Sequence, residues 1–316
     1  MKRKYGKIAA LMSAAVLSAV LLSGYTPIPT GGAQVETVVI SKGNTAPVAE
    51  NIRLETFMGV AVSGNMKALD PEGESVTFEI TSQPKKGAVS VGNNGAFTYT
   101  PEAGKKGEDS FAYTAADRSG NVSGSAVVKI KILKQKTAVS YEDMKGSDAH
   151  YAALVLSEKG IMTGECIAGS YFFRPDESVT AGEFLAMCVR ASGKEVIDGV
   201  VRTGLDNDGE IPAWAKGYIS TAVLTGSYTG GGTFDYGGNI TCEQAAVMLD
   251  ASFSFTDAVM ASALSPYMRR SSCQAVMNLI ACEIADEFII SDYDKPLTRA
   301  DAAILLCRAM AVAENR

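Results

Sequence analysis

Two kinds of hydrophobic periodicity divide the chain. Between residues 44 and 134, apolar and polar side chains alternate in short runs separated by turn-forming clusters. The apolar positions of these runs are Val76, Phe78 and Ile80; Phe97 and Tyr99; Phe111 and Tyr113; and Val128, Ile130 and Ile132. A period of two is typical of strands with one buried face. Because no helical pattern interrupts the runs, they predict an all-β sandwich.

From residue 141 onward the pattern changes, and one motif occurs three times. Its threonines are Thr180, Thr241 and Thr298, each followed by a helical apolar stripe. The residues three positions further on are Glu183, Gln244 and Asp301. Thr followed three residues later by Glu or Gln is a capping box, and the Asp of the third copy is a variant of it. The motif therefore predicts three equivalent capped helices within an internal repeat.

A second helical stretch precedes each capped helix. The patterns predict these first helices over residues 150–164, 213–227 and 273–288. The apolar residues that stand before the three threonines are Val179, Ile240 and Leu297. Each is positioned to form a hydrophobic staple onto its helix. The chain is thus expected to hold an all-α domain of three repeats, at residues 141–198, 199–253 and 254–316.

The β half resembles the cadherin-like, immunoglobulin-like repeats of bacterial surface proteins. The resemblance rests on the segments ALDPEGE, QPKKGAVSV, FTYTP and DSFAYTAAD, which occur in that order. It implies the sandwich fold, whose members serve as spacers, adhesins and appendages of enzymes alike. Asp70, Glu72, Glu74 and Asp117 offer oxygen ligands that suit Ca²⁺. The alternative is that Asp-Pro-Glu-Gly is a plain solvated turn.

The helical half resembles the S-layer homology (SLH) repeat. The shared order is an aromatic-x-Asp start (YEDM, with LDND and FTDA as variants), a helix, an extended turn such as FFRPDESVT, and the capped helix. Three copies are the usual number for one such domain. The resemblance implies a compact helical unit that binds the secondary polysaccharide of Gram-positive walls without a covalent bond, often through pyruvylated sugars.

Candidate polysaccharide-binding residues follow from the same resemblance. The family carries an Arg directly after the capping Thr, which is assigned to the anionic sugar, and an Arg can clamp a carboxylate with two hydrogen bonds. Only Arg299 fills that position here, because Ala181 and Cys242 replace it in the other repeats. Trp214 alone keeps the family's Trp. The candidate site residues are Arg299, Thr298, Asp301 and Trp214, and the helix caps are Thr180, Glu183, Thr241 and Gln244. The alternative for Arg299 is a solvated residue in a first helical turn.

The first 33 residues have the features of a secretory signal peptide. A basic head precedes an apolar run of 15 residues from Ile8 to Leu22, and small residues follow. A membrane anchor is the alternative, but a span needs about 20 apolar residues. Residues 34–43 and 135–140 are expected to be linkers, and residues 44–134 the sandwich. The chain is therefore expected to be exported, with no membrane attachment after cleavage.

Charge and residue chemistry exclude several classes of function. From residue 137 onward the chain has 13 Lys and Arg against 24 Asp and Glu, so the phosphates of nucleic acids are repelled. The six cysteines have no CxxC spacing and the only histidine is His150, which argues against a zinc site. Free thiols and disulfides both stay open. No nucleophile motif, phosphate loop or metal cluster indicates an enzyme.

The sequence thus predicts a two-domain surface protein of the cell wall or S-layer. Its SLH domain would hold wall polysaccharide while the sandwich acts as a spacer or adhesive module. No cofactor is expected, apart from the Ca²⁺ candidates. The alternative is a carbohydrate-binding or calcium-stiffened adhesin whose SLH repeats are a degenerate scaffold.

Overall fold

The structure, a computed structural model, describes residues 43–259, 270–285 and 292–314. The predicted signal peptide and nearly all of the first predicted linker lie outside the described residues. Within the described ranges, no helix combines the length and the apolar character that a membrane span requires.

An immunoglobulin-like sandwich of two main sheets forms the β half. Its strands are β1 (Val48–Ala49), β2 (Ile52–Phe57), β3 (Val62–Asn65), β4 (Ala68–Leu69), β5 (Thr77–Ser82), β6 (Gly87–Val91), β7 (Ala96–Pro101), β8 (Gly107–Ala116) and β9 (Ala126–Leu133). One sheet has the order β2-β9-β8-β5 and the other β3-β7-β6, while β1 pairs with β4. All these pairs are antiparallel except β2 with β9, which run parallel from Ile52 opposite Val128 to Phe57 opposite Leu133.

The core of the sandwich is built from the alternating positions on β7, β8 and β9. The side chains on these strands that are at most 2% exposed include Phe97, Tyr99, Phe111, Tyr113, Val128, Ile130 and Ile132. Val76 precedes β5, and Phe78 and Ile80 are only half-buried. This difference arises because β5 lies at the edge of its sheet.

Both buried tyrosines have hydrogen-bond partners, as buried hydroxyls require. Tyr99 donates to Oδ2 of Asp109 at 2.7 Å, and that carboxylate also accepts the amides of Lys85 and Lys86. Burial disfavours the ionised form of Asp109, but these hydrogen bonds outweigh it and hold the pKa of the carboxyl below its ordinary value. Burial and the Asp109 carboxylate together raise the pKa of Tyr99. The pair therefore anchors the loop before β6 to the core.

Six described helices make up the second half of the chain, together with one small hairpin. They are α1 (His150–Glu158), α2 (Ala181–Ala191), α3 (Ala213–Leu224), α4 (Cys242–Phe253), α5 (Arg270–Ala281) and α6 (Arg299–Glu314). The hairpin is β10 (Glu165–Ile167) with β11 (Ser170–Phe172). The first helix is shorter than its pattern predicted, because Gly160 takes a φ of +65° directly beyond it. This left-handed conformation ends helices.

The three capped helices meet in a closed ring of backbone hydrogen bonds. The amide of Val179 donates to the carbonyl of Leu297 at 3.0 Å, that of Leu297 to Ile240 at 2.8 Å, and that of Ile240 to Val179 at 2.9 Å. We call these three residues the cap ring. All three are at most 1% exposed. The staple residues therefore also join the repeats to one another around a pseudo-threefold axis.

The first two amides of each capped helix donate to carbonyls of another repeat, in the loop that precedes that repeat's own capped helix. In α2, Ala181 donates to Gly238 and Gly182 to Tyr236, both at 2.9 Å. The matching pairs are Cys242 to Lys295 and Glu243 to Tyr293 in α4, and Arg299 to Glu177 and Ala300 to Pro175 in α6. The amides that a helix start leaves unpaired are thus satisfied between repeats.

The sandwich packs directly on the helical half. Phe57 and Val60, 3% and 5% exposed, belong to the helical core cluster and not to the sandwich core. The Phe57 and Tyr151 ring centroids are 5.4 Å apart. Oγ of Ser63 donates to Oδ1 of Asp148 at 2.6 Å. Residues 135–140, predicted as a linker, therefore join two domains that are in contact.

Candidate functional site

A surface groove between α2 and α3 exposes a tryptophan. Trp214, the second residue of α3, keeps 53% of its surface exposed. Tyr218 lies one turn further on, with the two ring centroids 6.4 Å apart. The groove encloses a cavity of about 230 Å³ lined by Ile161, Glu183, Ala186, Met187, Arg190, Trp214 and Tyr218. We call this cavity and its lining the Trp214 groove.

Arg190 closes one end of the Trp214 groove. Its Nε donates to the Tyr218 hydroxyl at 2.8 Å and its Nη1 to the Gly160 carbonyl at 2.6 Å. The guanidinium carbon lies 5.5 Å from the centre of the Tyr218 ring, within cation–π range. Among the described residues no carboxylate lies within ion-pair distance of Arg190. The groove therefore offers an aromatic platform beside a positive charge without an acidic partner.

Capping boxes set the direction of α2 and α4. Glu183 accepts the Thr180 amide at 3.0 Å and donates its own amide to the Thr180 hydroxyl at 3.3 Å. Gln244 and Thr241 repeat this geometry at 3.1 and 3.3 Å. Because Glu183 also lines the Trp214 groove, one carboxylate belongs to both the cap and the groove.

The third cap is the variant form. The Asp301 amide donates to the Thr298 hydroxyl at 3.1 Å, and that hydroxyl donates to Oδ2 of Asp301 at 2.8 Å. The Arg299 and Ala300 amides are bonded to carbonyls of repeat one. No amide of this first turn is left to receive an anion. Thr298 and Asp301 therefore position the helix start, and sugar contacts by either residue stay a prediction.

Arg299 connects repeat three to repeat one. Its Nε donates to the Phe173 carbonyl at 2.8 Å and its Nη2 to the Thr163 carbonyl at 3.0 Å. The guanidinium carbon stands 4.9 Å from the centre of the buried Phe173 ring. Arg299 is thus half-buried and engaged by the main chain, and it shares no contact with Trp214. The sequence placed both residues in one kind of site, and the structure puts them in different places.

In repeat two, one side chain bonds both the amide and the carbonyl of Phe234, the residue equivalent to Phe173. The carboxylate of Asp143 accepts the Phe173 amide at 2.8 Å but cannot donate to the Phe173 carbonyl, which Arg299 serves. At the contact between repeats one and two, Ala181 of repeat one stands in place of the arginine. There Asn207 of repeat two accepts the Phe234 amide and also donates to the Phe234 carbonyl, both at 3.0 Å. An amide side chain thus performs both tasks there.

The Ca²⁺ candidates are engaged in turn hydrogen bonds. Oδ1 of Asp70 accepts the amides of Glu72 and Glu74, while Asp117 accepts the amide and side chain of Asn121. Oδ2 of Asp70 is buried without a partner. Within the described ranges no group of three or more His, Cys, Asp or Glu is arranged to hold a metal ion. Cys166, Cys188, Cys242, Cys282 and Cys307 are free thiols in the structure.

Sequence reasoning missed Arg190 and Tyr218. Arg190 falls in the last turn of α2, where a cation is expected beside the negative end of any helix, so its position alone carried no signal. Its offset of ten residues from Thr180 is the same as that of Arg308 from Thr298. That shared offset within an internal repeat was the available clue.

Comparison with known proteins identifies the β half. Residues 44–131, less than half of the chain, match the family described as Bacterial Ig domain. No curated protein matches the sequence.

Solved structures match only parts of the chain. An endo-fucoidan hydrolase of glycoside hydrolase family 107 is 20% identical over 29% of this chain and 14% of its own, with a TM-score of 0.25. A mutant SrpA adhesin from Streptococcus sanguinis is 15% identical over 31% of this chain and 67% of its own, at 0.22. Domains 4 and 5 of the S-layer protein SbsC are 16% identical over 29% and 46%, at 0.19. TM-scores this low carry no argument about function.

Proposed function

We propose that this protein is exported and held on the bacterial cell wall by its helical half, which binds wall polysaccharide without a covalent bond. The Ig-like sandwich then acts as a spacer or adhesive module, and the protein carries out no catalysis. The resemblance of the three repeats to the SLH domain supports this proposal, and so does the Bacterial Ig domain at residues 44–131.

The observation that carries the proposal is the exposed Trp214. Burying apolar surface is favourable, so an indole that stays half in water on a groove wall is available to a partner. Flat aromatic faces with a polar edge are common at binding surfaces. Arg190, at the end of the same groove, adds a positive charge for the acidic groups of a wall polymer. Arg299 is less suited to this role, because two of its nitrogens already bond carbonyls.

A sedimentation assay with wall sacculi tests the proposal. The full-length chain should sediment with sacculi that carry their secondary polymer and stay in solution when the polymer has been stripped. Trp214→Ala should weaken sedimentation about tenfold or more, as the loss of an aromatic anchor does at other interfaces. The matched control is Leu224→Ala, because Leu224 lies on the same helix and is 74% exposed. Equal sedimentation of all three proteins would refute the role of Trp214.

The alternative function is an adhesin whose helical repeats are only a scaffold. It is favoured by the engagement of Arg299 with the main chain and by the unpartnered Oδ2 of Asp70, which a bound Ca²⁺ would satisfy. In that case the wild type would not bind sacculi. Saturating Ca²⁺ at 100 times its Kd would stabilise the chain by about 2.7 kcal/mol over the chelated form. A melting curve unchanged by Ca²⁺ and by chelator would reject the calcium version.

A further inference from the structure

A larger cavity lies on the other side of Arg190 from Trp214. It encloses about 750 Å³, within the range of about 300–1,000 Å³ usual for ligand sites. It forms where α1, α2 and α6 end, and Phe253 and Met310 provide apolar wall. Ile161 and Arg190 line both this cavity and the Trp214 groove. The two spaces therefore adjoin at these two residues.

Three cationic side chains line this cavity, against one carboxylate. The cations are Lys159, Arg190 and Lys194, and the carboxylate is Glu314. Lys159 pairs with Glu314 at 3.1 Å. Lys194 donates to the hydroxyl of the buried Ser227 at 2.5 Å, and Arg190 donates to a hydroxyl and a carbonyl. We call this space the cationic cavity, because Arg190 and Lys194 have no acidic partner among the described residues.

Helix ends explain some of this charge but not all of it. Cations near a helix C-terminus interact favourably with its dipole, which accounts for Arg190 in the last turn of α2. Lys194 lies beyond that helix and is half-buried, and burial of its ammonium lowers its pKa. An ammonium in such a place is usually paired. The surrounding half of the chain has 13 basic against 24 acidic residues, so unpaired cations gathered in one cavity call for a ligand.

We infer that the Trp214 groove and the cationic cavity bind one acidic glycan, with a sugar ring on Trp214 and a carboxylate or phosphate beside Arg190 and Lys194. This inference rests on the proposed function and adds to it the place of the anionic group, beside Lys194 in the cationic cavity, and the minimum length of the ligand. The ligand spans two adjoining spaces, so it is longer than one sugar. Its anionic group lies at the ends of the helices, whereas the guanidinium of Arg299 is bonded to the carbonyls of Phe173 and Thr163.

Titration of the full-length chain with defined saccharides tests the inference. The probes are a tetrasaccharide of alternating glucuronate and N-acetylglucosamine, a neutral tetramer of N-acetylglucosamine, and inorganic phosphate. The acidic tetrasaccharide or phosphate should bind, with an affinity that falls as salt is added. Preference for phosphate over the tetrasaccharide would identify a phosphate-bearing polymer as the source. The neutral tetramer should bind about tenfold more weakly than the better anionic probe, because it lacks the charge-assisted hydrogen bonds.

The decisive variant is Lys194→Gln, which keeps a polar side chain, one bond shorter, near Ser227 and removes the charge. It should weaken the acidic probe about tenfold and leave the neutral tetramer unchanged. Lys145→Gln is the matched control, since Lys145 lies in the same domain and forms only an exposed ion pair with Glu142. Its affinity should equal that of the wild type.

The outcomes separate this inference from the proposed function. If the wild type sediments with sacculi and Lys194→Gln sediments equally well, the inference is wrong and wall attachment stands. If the wild type ignores sacculi but binds the acidic probe through Lys194, the cavity is an anion site and wall attachment fails. Failure of both anionic probes to bind the wild type overturns the inference.

Discussion

The amide of Ile240 donates to the carbonyl of Val179 across 2.9 Å, although the two residues belong to different repeats. Two further bonds through Leu297 close the cap ring. No repeat can complete this ring alone, because each supplies one donor and one acceptor to different neighbours. The three repeats therefore form one cooperative unit, and a change in one cap should lower the free energy of unfolding of the whole helical half.

Replacing a capping threonine tests this coupling. Thr241→Ala removes the hydroxyl that accepts the Gln244 amide, so the free energy of unfolding should fall by about 1 kcal/mol. Urea denaturation followed by circular dichroism at 222 nm measures it, and the transition should stay single. Thr229→Ala, at an exposed loop position, is the control and should change little. A helical signal that splits into two transitions would show that the repeats unfold separately.

Arg299 should matter for stability, in contrast to the behaviour of a solvated first-turn residue. Arg299→Ala leaves the Phe173 carbonyl without its donor and should lower the free energy of unfolding by about 2 kcal/mol. The double variant Asp143→Asn with Arg299→Ala copies the arrangement of Asn207 and Ala181 at the contact between repeats one and two. It should recover part of the loss, because the new amide can donate to the Phe173 carbonyl, although the Arg174 amide loses its acceptor on Asp143. Chemical denaturation of the single and double variants measures both effects. A double variant less stable than Arg299→Ala alone would contradict the equivalence of the two sites.

Phe57 should hold the two domains together. Phe57→Ala removes a ring that is 3% exposed and packed on Tyr151, which should cost about 3 kcal/mol. In differential scanning calorimetry the wild type should melt in one transition, whereas the variant should show the sandwich and the helical half separately. Val122→Ala, at a position 56% exposed, controls for loss of apolar volume. One undivided transition in Phe57→Ala would show that other contacts join the domains.

Asp109 should make the sandwich sensitive to acid. Its pKa is lowered in the folded state, so it stabilises the fold above the unfolded pKa of about 3.9, and this contribution disappears as the pH falls through the folded pKa. Asp109→Asn should be less stable than the wild type by about 1–2 kcal/mol at pH 7. The two proteins should converge on acidification below about pH 4. Thermal melts from pH 7 to pH 2.5 measure the gap, and a constant gap would contradict the assignment.

Local patterns predicted most of the elements, because their causes are local. A threonine with an acid or amide three residues on specifies a cap from four positions, and alternation on β7 to β9 specifies which faces are buried. The cap ring could not be predicted, since it depends on backbone groups of three distant segments. The same holds for Phe57, which alternation places on the outer face of β2, opposite to Ile52 and Leu54, and which packs on the helices.

In the candidate site, too, the features set by local sequence were predicted and those set by packing between distant segments were not. Trp214 was found from the sequence because it stands in a repeat motif. Arg190 and Tyr218 were not found, because an arginine in the last turn of a helix does not by itself indicate a binding site. Only the packing of α3 places the Tyr218 hydroxyl 2.8 Å from Nε of Arg190. Arg299 was found, but its partners Phe173 and Thr163 are 126 and 136 residues away. Because these partners are so distant along the chain, the sequence did not predict that Arg299 joins repeat three to repeat one.

The parallel pairing of β2 with β9 has a mechanical consequence. One of these strands is near the start of the sandwich and the other leads into the helices, and they lie side by side in the same direction over six residue pairs. Traction that pulls the two ends of the sandwich apart would slide one strand along the other and load all the bonds between them at once. Antiparallel neighbours pulled from one end would instead open bond by bond. With the wall attachment proposed above, a cell pulled against its surroundings would load this module in shear.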